Sequence, residues 1–240
     1  MLTLSYDGTD YHGWQVQPNG ITVQKVLQES LEKILKVKPN VTGCSRTDAG
    51  VHAKEFCCHL DCEESIPDEA FLRGLNAVLP KDIAVKECKR VSDDFHARYS
   101  AKGKTYVYRI LNSSIKNPFL SRYTWQIERP LGVSKMNEFC KRIVGTHDFY
   151  AFSSSGRTVS DTVRTVSECH VQKNGDIISL QITANGFLYN MVRIITGTAV
   201  EVSDGRIDYN DTEQIFKMRL REKAGITAPP MGLSLEKVIY

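Results

Sequence analysis

The apolar positions of this chain change period several times, and each change marks an element. Val23, Val26, Leu27, Leu31, Ile34 and Leu35 recur at helical spacing behind Thr22, a residue suited to cap a helix, and the run closes near Pro39. A second helix is predicted after Pro67 and Asp68, on Phe71, Leu72, Leu75, Val78 and Leu79, ending at Pro80. Strand-like segments lie around them at 2–6, 41–45, 55–60 and 83–88. The order β-α-β-β-α-β is the split pattern of a ferredoxin-like unit.

The remainder repeats that order. A strand is predicted at 105–111, then a helix capped by Ser134 and carrying Met136, Phe139, Cys140 and Ile143. Strands at 164–171 and 177–183 meet through KNGD, whose Asn174 and Gly175 are a strong hairpin signal. A helix from 186 to about 200 follows, then an inserted helix near 213–221 and a last strand at 233–240. No residue-level identity links the halves, so the repeat is one of architecture. The expected fold is α+β: two ferredoxin-like, RRM-like halves, 1–100 and 101–240, related by a pseudo-twofold with a central cleft.

Two stretches break the patterning in a way that suggests chemistry. GCSRTDAGVHA at 43–53 has too many glycines for a helix and too mixed a composition for a strand, so it reads as a loop carrying Arg46 and a lone carboxylate, Asp48. NGFLYNMVRIITGTAV is apolar nearly all round, which implies burial from more than one side, yet Arg193 falls in its middle. A buried guanidinium needs an acid or a phosphate, and Asp48 is the candidate acid; a side chain reaching out to solvent is the alternative.

Composition narrows the class. At 240 residues, 41% hydrophobic and 25% charged, the chain is an ordinary globular protein rather than a disordered or fibrous one. No apolar run is long enough to span a membrane, and Met1 leads straight into LTLSY with nothing like a secretory signal, so a cytoplasmic protein is expected. Cys57, Cys58 and Cys62 lie near His52 and His59, but no C-x-x-C pair occurs among the seven cysteines. They read as free thiols, with no metal site. The net charge of +3 is mild, but its distribution is not: from Phe95 to Ile127 there is no acid, against Arg98, Lys102, Lys104, Arg109, Lys116 and Arg122, interleaved with Tyr99, Tyr106, Tyr108 and Tyr123. Such a stretch suits phosphates and stacked bases, or else a solvated strand face with cations guarding a sheet edge. P-loop, HExxH, GxSxG and dinucleotide fingerprints are all missing. Any chemistry must then come from ordinary side chains, with Asp48 as base or nucleophile.

Seven blocks, in order, resemble the tRNA pseudouridine synthase A family over essentially the whole length: YDGTDYHGWQ at 6–15, GCSRTDAGVHA at 43–53, NAVLPKDI at 76–83, DDFHARYSAKGKTYVYRI at 93–110, GTHDF at 145–149, GFLYNMVRIITG at 186–197 and APPMGLSLEKVIY at 228–240. The resemblance implies isomerisation of uridine to pseudouridine at positions 38, 39 and 40 of the tRNA anticodon stem-loop, without cofactor or metal, by a homodimer with a basic cleft. It further implies that Asp48 is the nucleophile, that Arg46 helps hold the flipped nucleotide, and that Tyr106 is the active-site tyrosine. Arg193 would pair with the aspartate, and Leu233 would pack beneath the reacting base. Phe95, His96, Ala97, Arg98 and Tyr99, with Gly156, Arg157, Thr158, Val159 and Ser160, correspond to tRNA-contacting stretches, and Lys102 and Lys104 extend the first of them.

Two other classes fit parts of this pattern. A non-catalytic RNA-binding protein with paired RRM-like halves would need no Asp48, and the aromatic RNP-type strand signature is absent. A different base-modifying or hydrolytic enzyme could use Asp48 as a general base.

Overall fold

Leu2–Tyr6 forms the first strand, β1, and its burial on both faces follows from its apolar run. The computed structural model describes residues 1–62, 66–156 and 159–240. These fall into two compact units: Met1–Lys102 together with Ser234–Tyr240, and Gly103–Leu233.

In the first unit β1 is followed by α1 (Val23–Leu35), β2 (Thr42–Gly43), β3 (His52–His59), α2 (Asp68–Val78) and β4 (Ile83–Cys88). The chain's last strand, β10 (Leu233–Ile239), contributes its residues from Ser234 onward. The sheet order is β4-β1-β3-β10, with β2 also on β3. β1 runs antiparallel to both β3 and β4, whereas β10 lies parallel to β3 with Ser234 opposite His52. Thr22 caps α1 as its position predicts, its hydroxyl accepting from the Lys25 N–H at 3.3 Å. The segment read as a strand over 41–45 is extended only at Thr42–Gly43, because the residues after it turn into the loop that carries Asp48.

The second unit contains β5 (Gly103–Leu111), β6 (Trp125–Gln126), α3 (Val133–Ile143), β7 (Gly145–Asp148), β8 (Val163–Asn174), β9 (Ile177–Ala184), α4 (Met191–Ser203) and α5 (Thr212–Met218). Its strands are ordered β5-β9-β8-β7, with β6 beside β5. The β8–β9 hairpin closes at Asn174 and Ile177, and Gly175 takes the positive φ of 55° that the turn requires. Two expectations need correction. Ser134 does not cap α3, which begins one residue earlier behind Gly132 and has no side-chain cap. α4 begins at Met191 rather than 186, because Asn190 adopts the left-handed conformation, φ 61°, and interrupts the helical run.

α4 is the centre of this unit. Ten of its thirteen residues are buried, so it is covered all round, as its apolar sequence implies. Thr196 and Thr198 satisfy their hydroxyls on the carbonyls four residues back, at 2.9 and 2.7 Å. At Gly197 the chain segment that follows α5 crosses so closely that an added Cβ would collide with the Ile226 carbonyl oxygen.

Candidate active site

The loop bearing Asp48 is built into the first unit by the segment 6–15. The Tyr6 hydroxyl lies 2.8 Å from Thr47 Oγ1, and the Trp14 N–H donates to the Thr47 carbonyl at 3.1 Å. On the far side of Asp48 the Gly50 N–H donates to the Tyr11 carbonyl at 3.2 Å, and the Val51 N–H closes a turn on the Asp48 carbonyl at 3.2 Å. Trp14 itself is stacked on Phe56 of β3, ring centroids 4.1 Å apart. Two glycines make this embrace possible. A Cβ at Gly13 (φ 81°) would lie 2.5 Å from the Thr47 carbonyl oxygen, and one at Gly8 would collide with that of Val51. The result is a half-buried carboxylate on a backbone gripped on both sides, with Thr47 buried beneath it and Arg46 exposed.

The same unit holds the turn 95–100. The Ala97 N–H donates to His59 Nδ1 at 3.1 Å, and the Tyr240 hydroxyl donates to the Ala97 carbonyl at 2.8 Å. Phe95, His96 and Arg98 are partly buried around fully buried Ala97, while Tyr99 is 77% exposed with the Arg98 guanidinium 5.9 Å from its ring centre. Burial, and secondarily the neighbouring His96, hold the His59 imidazole below its usual pKa, so it stays neutral and can accept that N–H. Lys102 is exposed.

In the second unit Tyr106 is a buried residue of β5, its ring edge-on to Phe187 at 5.0 Å. Arg193 stands in the first turn of α4 and is half-buried. Its Nε donates to the Ala228 carbonyl at 2.7 Å and its Nη1 to Asn190 Oδ1 at 2.7 Å, while the Ala228 N–H returns a bond to the Arg193 carbonyl at 3.1 Å. The chain beyond Ala228 is pinned to β5: the Tyr108 hydroxyl donates to the Pro229 carbonyl at 2.7 Å, and a Cβ at Gly232 would lie 2.7 Å from the Arg109 carbonyl oxygen. Leu233, buried, emerges from that contact. Segment 228–233 thus ties the arginine to the strand of Tyr106. Lys104 is half-buried on β5; Gly156 and Ser160 are exposed, and Val159 is partly buried. Arg157 and Thr158 lie outside the described residues.

Sequence reasoning missed Asn190 and the Tyr6–Thr47 pair, and it grouped Tyr108 with rings for stacked bases or a solvated strand face, whereas Tyr108 is fully buried and holds the Pro229 carbonyl. Asn190 carried one usable signal, since asparagine is among the few non-glycine residues that enter the left-handed region readily. Among the described residues all seven cysteines are free, and no group of three or more His, Cys, Asp or Glu is placed to hold a metal. No helix among them is long and apolar enough to cross a membrane.

In the first unit an aspartate sits on a loop held on both sides by backbone hydrogen bonds, and in the second an arginine is fixed in the first turn of α4. A family model described as tRNA pseudouridine synthase matches residues 3–100 and 139–240. The chain is 48% identical, over 240 residues, to "tRNA pseudouridine synthase A" of Thermoanaerobacter sp. (strain X514), covering 100% of this chain and 98% of that one. It is 44% identical to "tRNA pseudouridine synthase A 2" of Clostridium perfringens (strain 13 / Type A), with the same coverage. One chain of a solved structure, "Crystal Structure of a Cbf5-Nop10-Gar1 Complex", is similar with a TM-score of 0.41 and 12% identity over 98% of this chain and 48% of that one, too distant to add to these matches. The chain belongs to the tRNA pseudouridine synthase family. It is an isomerase that forms pseudouridine in tRNA.

Proposed function

We propose that this enzyme isomerises uridines at positions 38, 39 and 40 of the tRNA anticodon stem-loop, with Asp48 as its nucleophile. The observation that carries the assignment is the grip on the loop: Thr47 and Gly50, flanking Asp48, are each bonded to the segment 6–15. Catalysis by a single carboxylate depends on holding it in one place.

The reaction balances within one nucleotide. The C1′–N1 bond breaks, the base turns, and C5 bonds to C1′; the C5 hydrogen leaves as a proton and N1 takes one up. Nothing is consumed, so the chemistry requires no redox group or co-substrate. A stacked base in a stem is out of reach, and extruding it costs about a few kcal/mol. Arg46, exposed beside the nucleophile, is suited to hold the flipped nucleotide. Arg193 is assigned as the partner of the Asp48 carboxylate, Tyr106 as the ring against the base and a proton carrier, and Leu233 as the apolar floor. Phe95 to Tyr99, Lys102, Lys104 and 156–160 are assigned to the RNA backbone and its neighbouring bases.

The two halves are read as ferredoxin-like domains divided near residue 100, and the working form as a cytoplasmic homodimer. Ile115 and Phe119, 77% and 89% exposed on the β5–β6 connection, support a second copy as the cover for that surface.

The deciding experiment is Asp48→Asn in single-turnover assays on unmodified tRNA, with pseudouridine detected by base-specific derivatisation because the isomerisation changes no mass. The variant is expected to fold and bind tRNA but form no product. Turnover by it would remove Asp48 from the nucleophile's role. Product at sites outside the anticodon stem-loop would redirect the substrate assignment while leaving the nucleophile in place.

A further inference from the structure

Asn190 touches both Arg193 and the connection between β7 and β8. Its Oδ1 accepts from Arg193 Nη1 at 2.7 Å, and its Nδ2 donates to Ser154 Oγ at 2.9 Å. A third bond runs alongside, from the Ser154 N–H to the Tyr189 carbonyl at 3.2 Å. The backbone that presents this side chain is unusual. Asn190 sits at φ 61°, ψ 7°, a conformation uncommon outside glycine, and it makes no side-chain cap to α4. An asparagine at this position would ordinarily spend its side chain on the exposed N–H groups of the helix it precedes. Here the amide is turned away from them, toward the arginine and the serine.

We propose that Asn190 is a positioning residue for the isomerisation: it fixes the plane of the Arg193 guanidinium and fastens that plane to Ser154. The inference rests on the assignment of Arg193 to the reaction. A guanidinium is a planar fork, and one bond leaves it free to swing. Bonds on Nε to Ala228 and on Nη1 to Asn190 hold it at two points, which sets the direction of its other donors. Through Ser154 the same amide ties the arginine to the connection between β7 and β8. Its side chain acts through Arg193, so its loss should slow the chemical step more than it weakens binding.

The test compares Asn190→Gly, Ser154→Ala, Arg193→Met and the Asn190→Gly/Arg193→Met double variant, by single-turnover rate at saturating enzyme and by Kd for unmodified tRNA. Glycine keeps the left-handed backbone and removes both side-chain bonds, so folding is spared. Asn190→Gly is expected to lower the rate by about ten- to a hundredfold, as for loss of a hydrogen bond to a charged group, with Kd changed by less than about threefold. Ser154→Ala should lower it less, in the same direction. In the double variant the Asn190 change should add nothing to the loss from Arg193→Met. A normal rate in Asn190→Gly, or full additivity in the double variant, would overturn the positioning role while leaving the arginine's assignment intact. Full activity in Arg193→Met would instead overturn that assignment, and the inference with it. Should the glycine variant not fold, Ser154→Ala decides alone: an unchanged rate rejects the link.

Discussion

The Tyr6 hydroxyl sits 2.8 Å from Thr47 Oγ1, one residue before Asp48, and both groups are buried. A buried hydroxyl stripped of its partner costs about 1–3 kcal/mol, and this one lies directly under the loop that carries Asp48. Tyr6→Phe should therefore lower stability by roughly that amount and slow single-turnover pseudouridine formation, with tRNA affinity little changed. Equilibrium unfolding and rate measurements on the same variant check both halves. A stability loss with a wild-type rate would mean that the loop is held well enough by its backbone bonds alone.

Charge and stacking in the 95–104 region should separate in a salt titration. Arg98→Ala and Lys104→Ala should each reduce the slope of log affinity against log salt by about one. Tyr99→Ala, which removes a 77% exposed ring and no charge, should weaken binding by about 1–3 kcal/mol and leave the slope alone. An unchanged slope in both cationic variants would place the phosphate contacts elsewhere.

Gly197→Ala should behave opposite to a helix-propensity rule. Alanine in a helix interior normally gains about 0.5–1 kcal/mol over glycine. At Gly197 the new Cβ meets the Ile226 backbone carbonyl, and the neighbouring Gly225 is itself packed on Thr198, so neither side can yield cheaply. A net loss of roughly 2–3 kcal/mol is expected, read as a drop of several degrees in Tm. A stabilised variant would show that the 224–228 segment shifts readily.

What the sequence disclosed depended on whether its physics was local. β1 and β4 appear with the bounds that apolar runs predict, and α1 with its cap, because period and capping act within a few residues. The helix expected from 186 starts at Met191 because one dihedral at Asn190 outweighs an unbroken apolar pattern. Around the site, Asp48 stood out as a lone acid in a loop. The reason YDGTDYHGWQ accompanies it did not: Gly8 and Gly13 read as turn residues, whereas their part is to let a segment some forty residues away approach the loop. Contacts at that separation leave no period in the chain.

His59 makes the stability of the 95–100 turn depend on pH. Its Nδ1 accepts the Ala97 N–H, which it can do only while neutral, and the imidazole is held below the ordinary value of 6.5, chiefly by burial and then by His96 at a ring separation of 5.0 Å; Asp61 opposes the shift. With the folded value below the unfolded one, the unfolded chain takes up the proton first as pH falls. The stabilising contribution is thus complete above about pH 6.5 and is lost as pH falls through the lower, folded value. His59→Ala removes the hydrogen bond at every pH, at a cost of about 1 kcal/mol, or roughly 2–4 °C in Tm for a chain of this size. The Tm difference between wild type and His59→Ala should be largest near pH 7.5 and shrink steadily toward pH 5. Protection of the Ala97 amide from hydrogen exchange, corrected for the intrinsic pH dependence, should fall over the same interval in the wild type alone. If the wild-type advantage instead grew on acidification, a protonated His59 would be the stabilising form, and the turn carrying Phe95 to Tyr99 would be held by a different bond.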